Sequence, residues 1–435
     1  MKMVEENHKD QNLKSKIIPN RIPWTALGFI VILIGLIGTR LGGYFCKSPR
    51  DSNTPISAPK ILSLKNLLAD SGKNYAKVLS PRPFIFPKDH GPHPEYRNEW
   101  WYFTGNLRDK LGRQLGYQLT FFRSALAPME KISQRESHWA ASQIYMAHLA
   151  VSEVEENTFL KPGIFATGEF KAYERFSRGA QGLAGSQAAP FQVWLEDWSC
   201  ESIHGDSSFF PLRLKAAQGS ISIDLILEEG KKIVLQGEQG FSRKGPEAGN
   251  ASYYYSFTRM PTKGTIHSNG QTYAAVGNSW MDREWGSSIL AAGVAGWDWF
   301  SLQLSDSTEF LFFRLRPSTH SSKVTGKVAF DYGIWVDAMG RSHILGRDEM
   351  HAEIISFWES PSGGSGGNDR RGRTYPSRWI IDIPSLKLQM KISPKLANQE
   401  LDLSIPYWEG AIEIDANREG KTLQGEGFME LTGYR

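Results

Sequence analysis

Two carboxylates, Asp282 and Glu284, stand two residues apart in "SWMDREWG" (279–286). On an extended strand that spacing puts both on one face, with Trp280 beside them and Arg283 on the other. A carboxyl held against indole rings and away from water resists ionisation, so it keeps its proton near neutral pH. Such an acid can protonate an alkene or an enol ether, and surrounding aromatic faces stabilise the resulting cation. A pocket of this kind would hydrate, isomerise or cyclise an apolar substrate with no cofactor. The same residues also read as a buried ion-pair network, with Arg283 or Arg259 neutralising the two acids and fixing only the strand's geometry.

A related grouping opens "NEWWYFTGNLRD" (98–109), where Glu99 is followed directly by Trp100, Trp101 and Tyr102. Asp282, Glu284 and Glu99 are therefore the candidate catalytic residues. The candidate ligand contacts are aromatic. In the first half they are Trp100, Trp101, Tyr102 and Tyr117. Further on, Tyr253 and Tyr255, then Trp280 and Trp285, then Trp297 and Trp299 join them. Asp298, between Trp297 and Trp299, points away from both rings if the segment is a strand. His90 and His93 in "DHGPHPE", with Glu95 or Glu99 nearby, have a spacing that could hold a metal. The preferred reading is that His90, like Arg283 and Asp298, gives polar support, pinning the lead-in loop by hydrogen bonds. No metal and no cofactor is expected. Phosphate-loop, Gly-x-Ser-x-Gly and His-Glu-x-x-His motifs are absent, so no local signature supports a nucleophilic or zinc hydrolase.

The elements that must position these residues are strands. In "LGYQLTFFR" (115–123), Tyr117, Leu119 and Phe121 alternate with Gln118 and Thr120. The runs at 221–237 and 300–316 each read as a β-hairpin, the second turning at Ser305-Asp306-Ser307. Fourteen Trp, 15 Tyr and 23 Phe with 42 Gly fit a β-rich chain with many turns. "WYFTGNLRD" (101–109) aligns over "WDWFSLQLSD" (297–306), a weak internal repeat. Repetition and the need to protect sheet edges predict an all-β fold of two tandem antiparallel β-barrels, covering 81–258 and 259–435.

Ahead of them, 22–39 is an 18-residue stretch without a charge, preceded by Lys2, Lys9, Lys14, Lys16 and Arg21. It reads as one N-terminal transmembrane helix, with 1–21 cytoplasmic, 22–46 a signal-anchor and 47–80 a linker, leaving the barrels membrane-anchored outside the cytoplasm. Secretion after signal cleavage is the alternative. Fifty Lys and Arg against 46 Asp and Glu give a net charge of +4, with no basic block, which excludes a nucleic-acid partner. The two cysteines, Cys46 and Cys200, are too far apart in role to predict a disulfide.

Several blocks in this order, "FPKDHGPHPEYRNEWWYFTGNL", "YYYSFTRMPTKGTI", "VGNSWMDREWG", "GWDWFSLQL", "NQELDLSIPYWEGAIEI" and "GFMELTGY", resemble the AttH-like, carotenoid 1,2-hydratase family over about residues 80 to 435. Members are also labelled lipocalin-like or predicted secreted hydrolases. The resemblance implies two lipocalin-like barrel domains. It further implies cofactor-free, acid-catalysed addition of water to a terminal double bond of an acyclic carotenoid, with an aspartate as acid; Asp282 is the residue put forward here. Related fungal members are similar to cyclisation catalysts that enclose a polyene. The partner expected is thus an apolar polyene, terpenoid or lipid-like molecule. A non-catalytic pigment or lipid carrier and a secreted hydrolase are the alternatives.

Overall fold

A computed structural model describes residues 74–126, 142–155, 165–177, 182–288, 293–318, 330–363 and 372–434. The first sheet opens with β1 (Asn98–Asp109), β2 (Gln114–Ala125), β3 (Gln143–Val154) and β4 (Gly168–Ser177). Short strands follow: β5 (Ala184–Ala188), β6 (Phe191–Leu195), β7 (Trp198–Ser202), β8 (Leu212–Gln218) and β9 (Ile221–Leu227). It ends with β10 (Val234–Leu235), β11 (Phe241–Arg243), β12 (Ala251–Ser268) and β13 (Gln271–Gly286). The second sheet contains β14 (Val294–Leu304), β15 (Glu309–Pro317), β16 (Phe330–Val336), β17 (Ser342–Gly346) and β18 (His351–Gly363). Its remaining strands are β19 (Gly372–Ile383), β20 (Leu388–Pro394), β21 (Glu400–Leu401), β22 (Tyr407–Arg418) and β23 (Lys421–Thr432).

The first sheet runs β4-β3-β2-β1-β13-β12-β9-β8-β7-β6-β5 and the second β17-β16-β15-β14-β23-β22-β20-β19-β18. Both are barrel-like, the first nearly closed and the second a half-barrel, rather than two sealed vessels. Two sequence expectations change. Strand β12 runs through position 258, and the change of sheet falls between Gly286 and Val294, so 259–286 belong to the first sheet. The run 221–237 is not a hairpin: β9 pairs with β8 and β12, while β10 pairs with β12. The run at 300–316 is one, β14 pairing with β15.

Burial explains which strands can carry polar chemistry. In β9, ISIDLIL, buried and half-buried residues alternate, as expected for a strand with one covered face. In β1 almost every residue is buried, and β13 changes from alternating to continuously buried at Ser279. These stretches are covered on both sides. One face packs into the first sheet's core, with Phe103, Leu119 and Met281. Each such fully buried side chain contributes about 1.5–3 kcal/mol. The other face meets the second sheet, where Tyr102, Tyr254, Trp280, Trp299 and Phe313 form a separate cluster. The second sheet's own core holds Phe300, Trp379 and Trp408.

The helical elements that lie wholly within the described residues are 3₁₀ turns at Lys88–His90, Arg347–Glu349 and Pro384–Leu386. None of the described helices is long and apolar enough to cross a membrane. The expected signal-anchor, 22–46, lies outside the described residues.

Candidate active site between the two sheets

Register decides which side chains meet. Asp282 lies opposite Tyr102 of β1 and Ser256 of β12, and Glu284 lies opposite Trp100 and Tyr254. These residues share one face of the first sheet, and all but Ser256 line a pocket against the second. Trp297, Trp299 and Phe313 of β14 and β15, with Glu409 and Glu430 of β22 and β23, complete the wall. The space these residues border is about 940 Å³ with open solvent at the mouth included, of which about 80 Å³ admits the centre of a water molecule. It lies between the sheets, not within the curl of either.

Asp282 is 3% exposed. Its Oδ1 accepts from the Ser256 hydroxyl at 2.5 Å and from Trp280 Nε1 at 2.7 Å, and its Oδ2 accepts from the Tyr254 hydroxyl at 2.6 Å. Trp299 Nε1 donates in turn to the Tyr254 oxygen at 3.2 Å. Burial pushes the Asp282 carboxyl up to about 7; the three hydrogen bonds pull the other way, and the charge of Glu284 adds to the rise. Burial and Asp282 together hold the Tyr254 phenol well above its usual range, so it stays neutral.

The two arginines that could have clamped Asp282 are engaged elsewhere. Arg259 Nε donates to Glu309 Oε1 at 2.6 Å. Arg283 lies on the opposite face of β13, bonded to Glu99 and stacked 3.9 Å over the Trp101 ring. Glu284 does have a cation, Lys244 Nζ at 3.0 Å, and accepts from the Ser252 hydroxyl. Lys244 is 2% exposed and sits 4.3 Å from the centre of the Phe313 ring. Burial opposes its charge, but Glu284 outweighs that and leaves the ammonium raised above its ordinary pKa.

Glu99 is not brought together with Asp282. Although it borders the pocket, its carboxylate takes hydrogen bonds from Arg123, Arg283 and His93 on the core side. Burial acts to raise it, yet Arg123 and Arg283 win and hold it well below the usual carboxylate range. It is an anion in an ion-pair cluster, not a proton donor. Trp101, Tyr117, Tyr253, Tyr255 and Trp285 likewise lie in the first sheet's core, while Trp100, Tyr102, Trp297 and Trp299 line the pocket. Trp280 reaches the site through its hydrogen bond to Asp282.

His90 Nδ1 lies 2.7 Å from the Tyr255 hydroxyl, its carbonyl accepts from Trp101 Nε1 at 2.9 Å, and its ring stacks on Phe209. Burial, reinforced by Arg283, lowers its pKa to about 3. His93 instead bridges Asp89 and Glu99, so the two histidines do not converge on one point. No group of three or more His, Cys, Asp or Glu among the described residues is arranged to hold a metal ion. Asp298 accepts from Arg316 Nε at 2.9 Å and from the Tyr434 hydroxyl at 2.8 Å, away from the rings of its neighbours.

The AttH-like family model matches residues 77–434. The chain belongs to the AttH-like family. The crystal structure of a protein assigned as an AttH from Nitrosomonas europaea is 31% identical, with a TM-score of 0.67, covering 82% of this chain and 99% of that one. The kievitone hydratase of Nectria haematococca shares the fold at 16% identity, with a TM-score of 0.60 over 82% of this chain and 96% of that one. A curated kievitone hydratase from Fusarium solani subsp. phaseoli is 18% identical over 227 residues, 50% of this chain. That match spans 59% of the curated relative's length.

Within this AttH-like fold, sequence reading missed Tyr254, Ser256, Lys244, Glu409, Glu430 and the His148–Tyr407 pair, whose Nδ1 and hydroxyl are 2.7 Å apart. Two signals were available. "YYYSFT" offers Tyr254 on the parity opposite Tyr253 and Tyr255, and "PYWEG" and "GFMEL" each set a glutamate in an apolar or aromatic run. For Lys244 there is no local signal.

Proposed function

We propose that this AttH-like protein is a cofactor-free hydratase that takes an apolar, alkene-bearing small molecule into the pocket between the sheets and adds water across a double bond. Asp282 carries the reading: a buried, pocket-lining carboxyl, held by three neutral donors, with a pKa pushed up to about 7. Its proton goes to one alkene carbon, directly or through the Tyr254 hydroxyl, and the π pair becomes the new C–H bond. The adjacent carbon becomes cationic beside Trp297 and Trp299, whose faces favour positive charge. Water then forms the C–O bond and gives up a proton. Ser256, Trp280 and Tyr254 stabilise the aspartate left behind, because all three donate to its charged form. The hydratase name of the curated relative agrees with this reading. The uncharged stretch at 22–39 supports a membrane-anchored protein acting outside the cytoplasm.

The test is turnover by the full chain of kievitone, myrcene and lycopene in ¹⁸O-labelled water, with products followed by mass spectrometry. One of the three should yield an ¹⁸O-bearing alcohol, and Asp282→Asn should cut the rate about a hundredfold or more while changing ligand affinity little. Binding without any product would make the protein a carrier, and unimpaired product formation by Asp282→Asn would remove the acid from the mechanism.

A further inference from the structure

The pocket has a second polar pole that the proton donor does not use. Glu409 and Glu430 are cross-strand partners on β22 and β23. Glu409 is 1% exposed, and neither of its carboxylate oxygens has a hydrogen-bond partner among the described residues. The hydroxyl of Tyr102, on the facing sheet and 6% exposed, is also unpartnered among them. The hydroxyls of Tyr102 and Tyr407 lie close enough to influence Glu409, but neither reaches hydrogen-bonding geometry with it. Leaving an acceptor and a phenol buried and unpaired is costly unless something occupies the space between them.

The complementary occupant donates to a carboxylate and accepts from a phenol, which is what a water molecule or an alcohol does. Two carboxyl groups on paired positions in a low-dielectric site resist ionising together, so at least one of them keeps its proton. Both glutamates are held above the ordinary carboxylate range, Glu409 up to about 8, chiefly by burial, and Glu430 by burial and the charge of Glu409, so the singly ionised pair is populated toward that pH. Glu284, the other acid facing the pocket, is already committed to Lys244 and Ser252.

We infer that Glu409, Glu430 and Tyr102 form the nucleophile pole of the site, where a carboxyl pair carrying one proton binds the attacking water and takes its proton. This rests on the hydratase reading and completes it. Asp282 supplies the proton for the C–H bond. Water oxygen supplies the electron pair for the C–O bond, and the proton it loses goes to the ionised carboxyl of the pair. The cycle leaves Asp282 short of one proton and the pair with one extra, and exchange with water at the pocket mouth restores both. Alkene plus water gives alcohol, with nothing else consumed.

Two measurements on the full chain test this. Infrared spectra should show a protonated-carboxyl band that both Glu409→Gln and Glu430→Gln remove or shift. On whichever of the three alkenes the wild type hydrates, the reaction is then run in D₂O. Glu409→Gln should lose alcohol formation about a hundredfold while deuterium still enters the recovered alkene, because protonation by Asp282 survives; Tyr102→Phe should show the same split to a smaller degree. Asp282→Asn should lose both. An infrared band indifferent to both substitutions overturns the assignment, as does alcohol formation in Glu409→Gln that is unchanged or falls in step with deuterium uptake. If the wild type hydrates none of the three, the hydratase reading itself fails and the assignment falls with it, a result distinct from an active wild type with an unaffected Glu409→Gln.

Discussion

Replacing Lys244 by methionine keeps an unbranched side chain one atom shorter and removes its charge. The ammonium is 3.0 Å from Glu284, and the two side chains are 2% and 6% exposed. Without it, the Glu284 carboxylate stays in the same dry wall with the Ser252 hydroxyl as its remaining donor. Breaking one partner of a buried ion pair costs about 3–5 kcal/mol, because the survivor keeps its desolvation penalty. Loss of the contact with Phe313 adds about 1 kcal/mol. Lys244→Met should therefore unfold in urea with a stability lower by about 4–6 kcal/mol, read from tryptophan fluorescence. Adding Glu284→Leu should restore most of that, since an apolar pair of similar volume no longer carries an unmatched charge. A Lys244→Met loss below about 1 kcal/mol, or a double variant no more stable than the single one, would refute the claim that Lys244 and Glu284 form a buried ion pair.

Three other outcomes follow from the same geometry. Glu99, depressed by Arg123 and Arg283, contributes stability that is present above the unfolded carboxylate pKa of about 4 and lost as pH falls through its native value. Glu99→Gln should cost about 3–5 kcal/mol at neutral pH and flatten the acid limb of the stability curve. Asp282 has the opposite sign: its raised pKa favours the folded state fully below about 4, and that advantage is lost as pH rises through about 7. Denaturation midpoints should show Asp282→Asn gaining on the wild type between pH 5 and pH 8. Gly105→Ala would put a methyl group against the Tyr117 ring and within 2.7 Å of Ser279 Oγ, destabilising the first sheet by about 1–3 kcal/mol in thermal melts.

Period two made much of this legible. It put Asp282, Glu284 and Trp280 on one face and Arg283 on the other, and it separated Asp298 from Trp297 and Trp299. Which face meets the pocket is another matter. Trp100 and Trp101 are neighbours of the same type, and "YYYSFT" is aromatic on both faces, so local pattern gives no preference. The choice is made by the second sheet, whose strands β14, β15, β22 and β23 cover one side only. For the same reason Glu409 and Glu430 were invisible as partners of Asp282: pairing of β22 with β23 and packing across the sheets bring them together, and neither is local in sequence. The run 221–237 failed as a hairpin because long β12 offers pairing partners to both β9 and β10. The boundary at 258 failed because β12 and β13 pair with each other and with β1, which keeps 259–286 in the first sheet.

Everything proposed for the pocket depends on Asp282 keeping its proton at neutral pH. The most direct measurement is a carbon-13 NMR titration of labelled aspartate carboxyls, with Asp282→Asn assigning the resonance. A midpoint near 7 is the predicted result. A midpoint in the ordinary range near 4 would contradict it, leaving Asp282 a charged acceptor for Ser256, Tyr254 and Trp280 and the pocket without its acid.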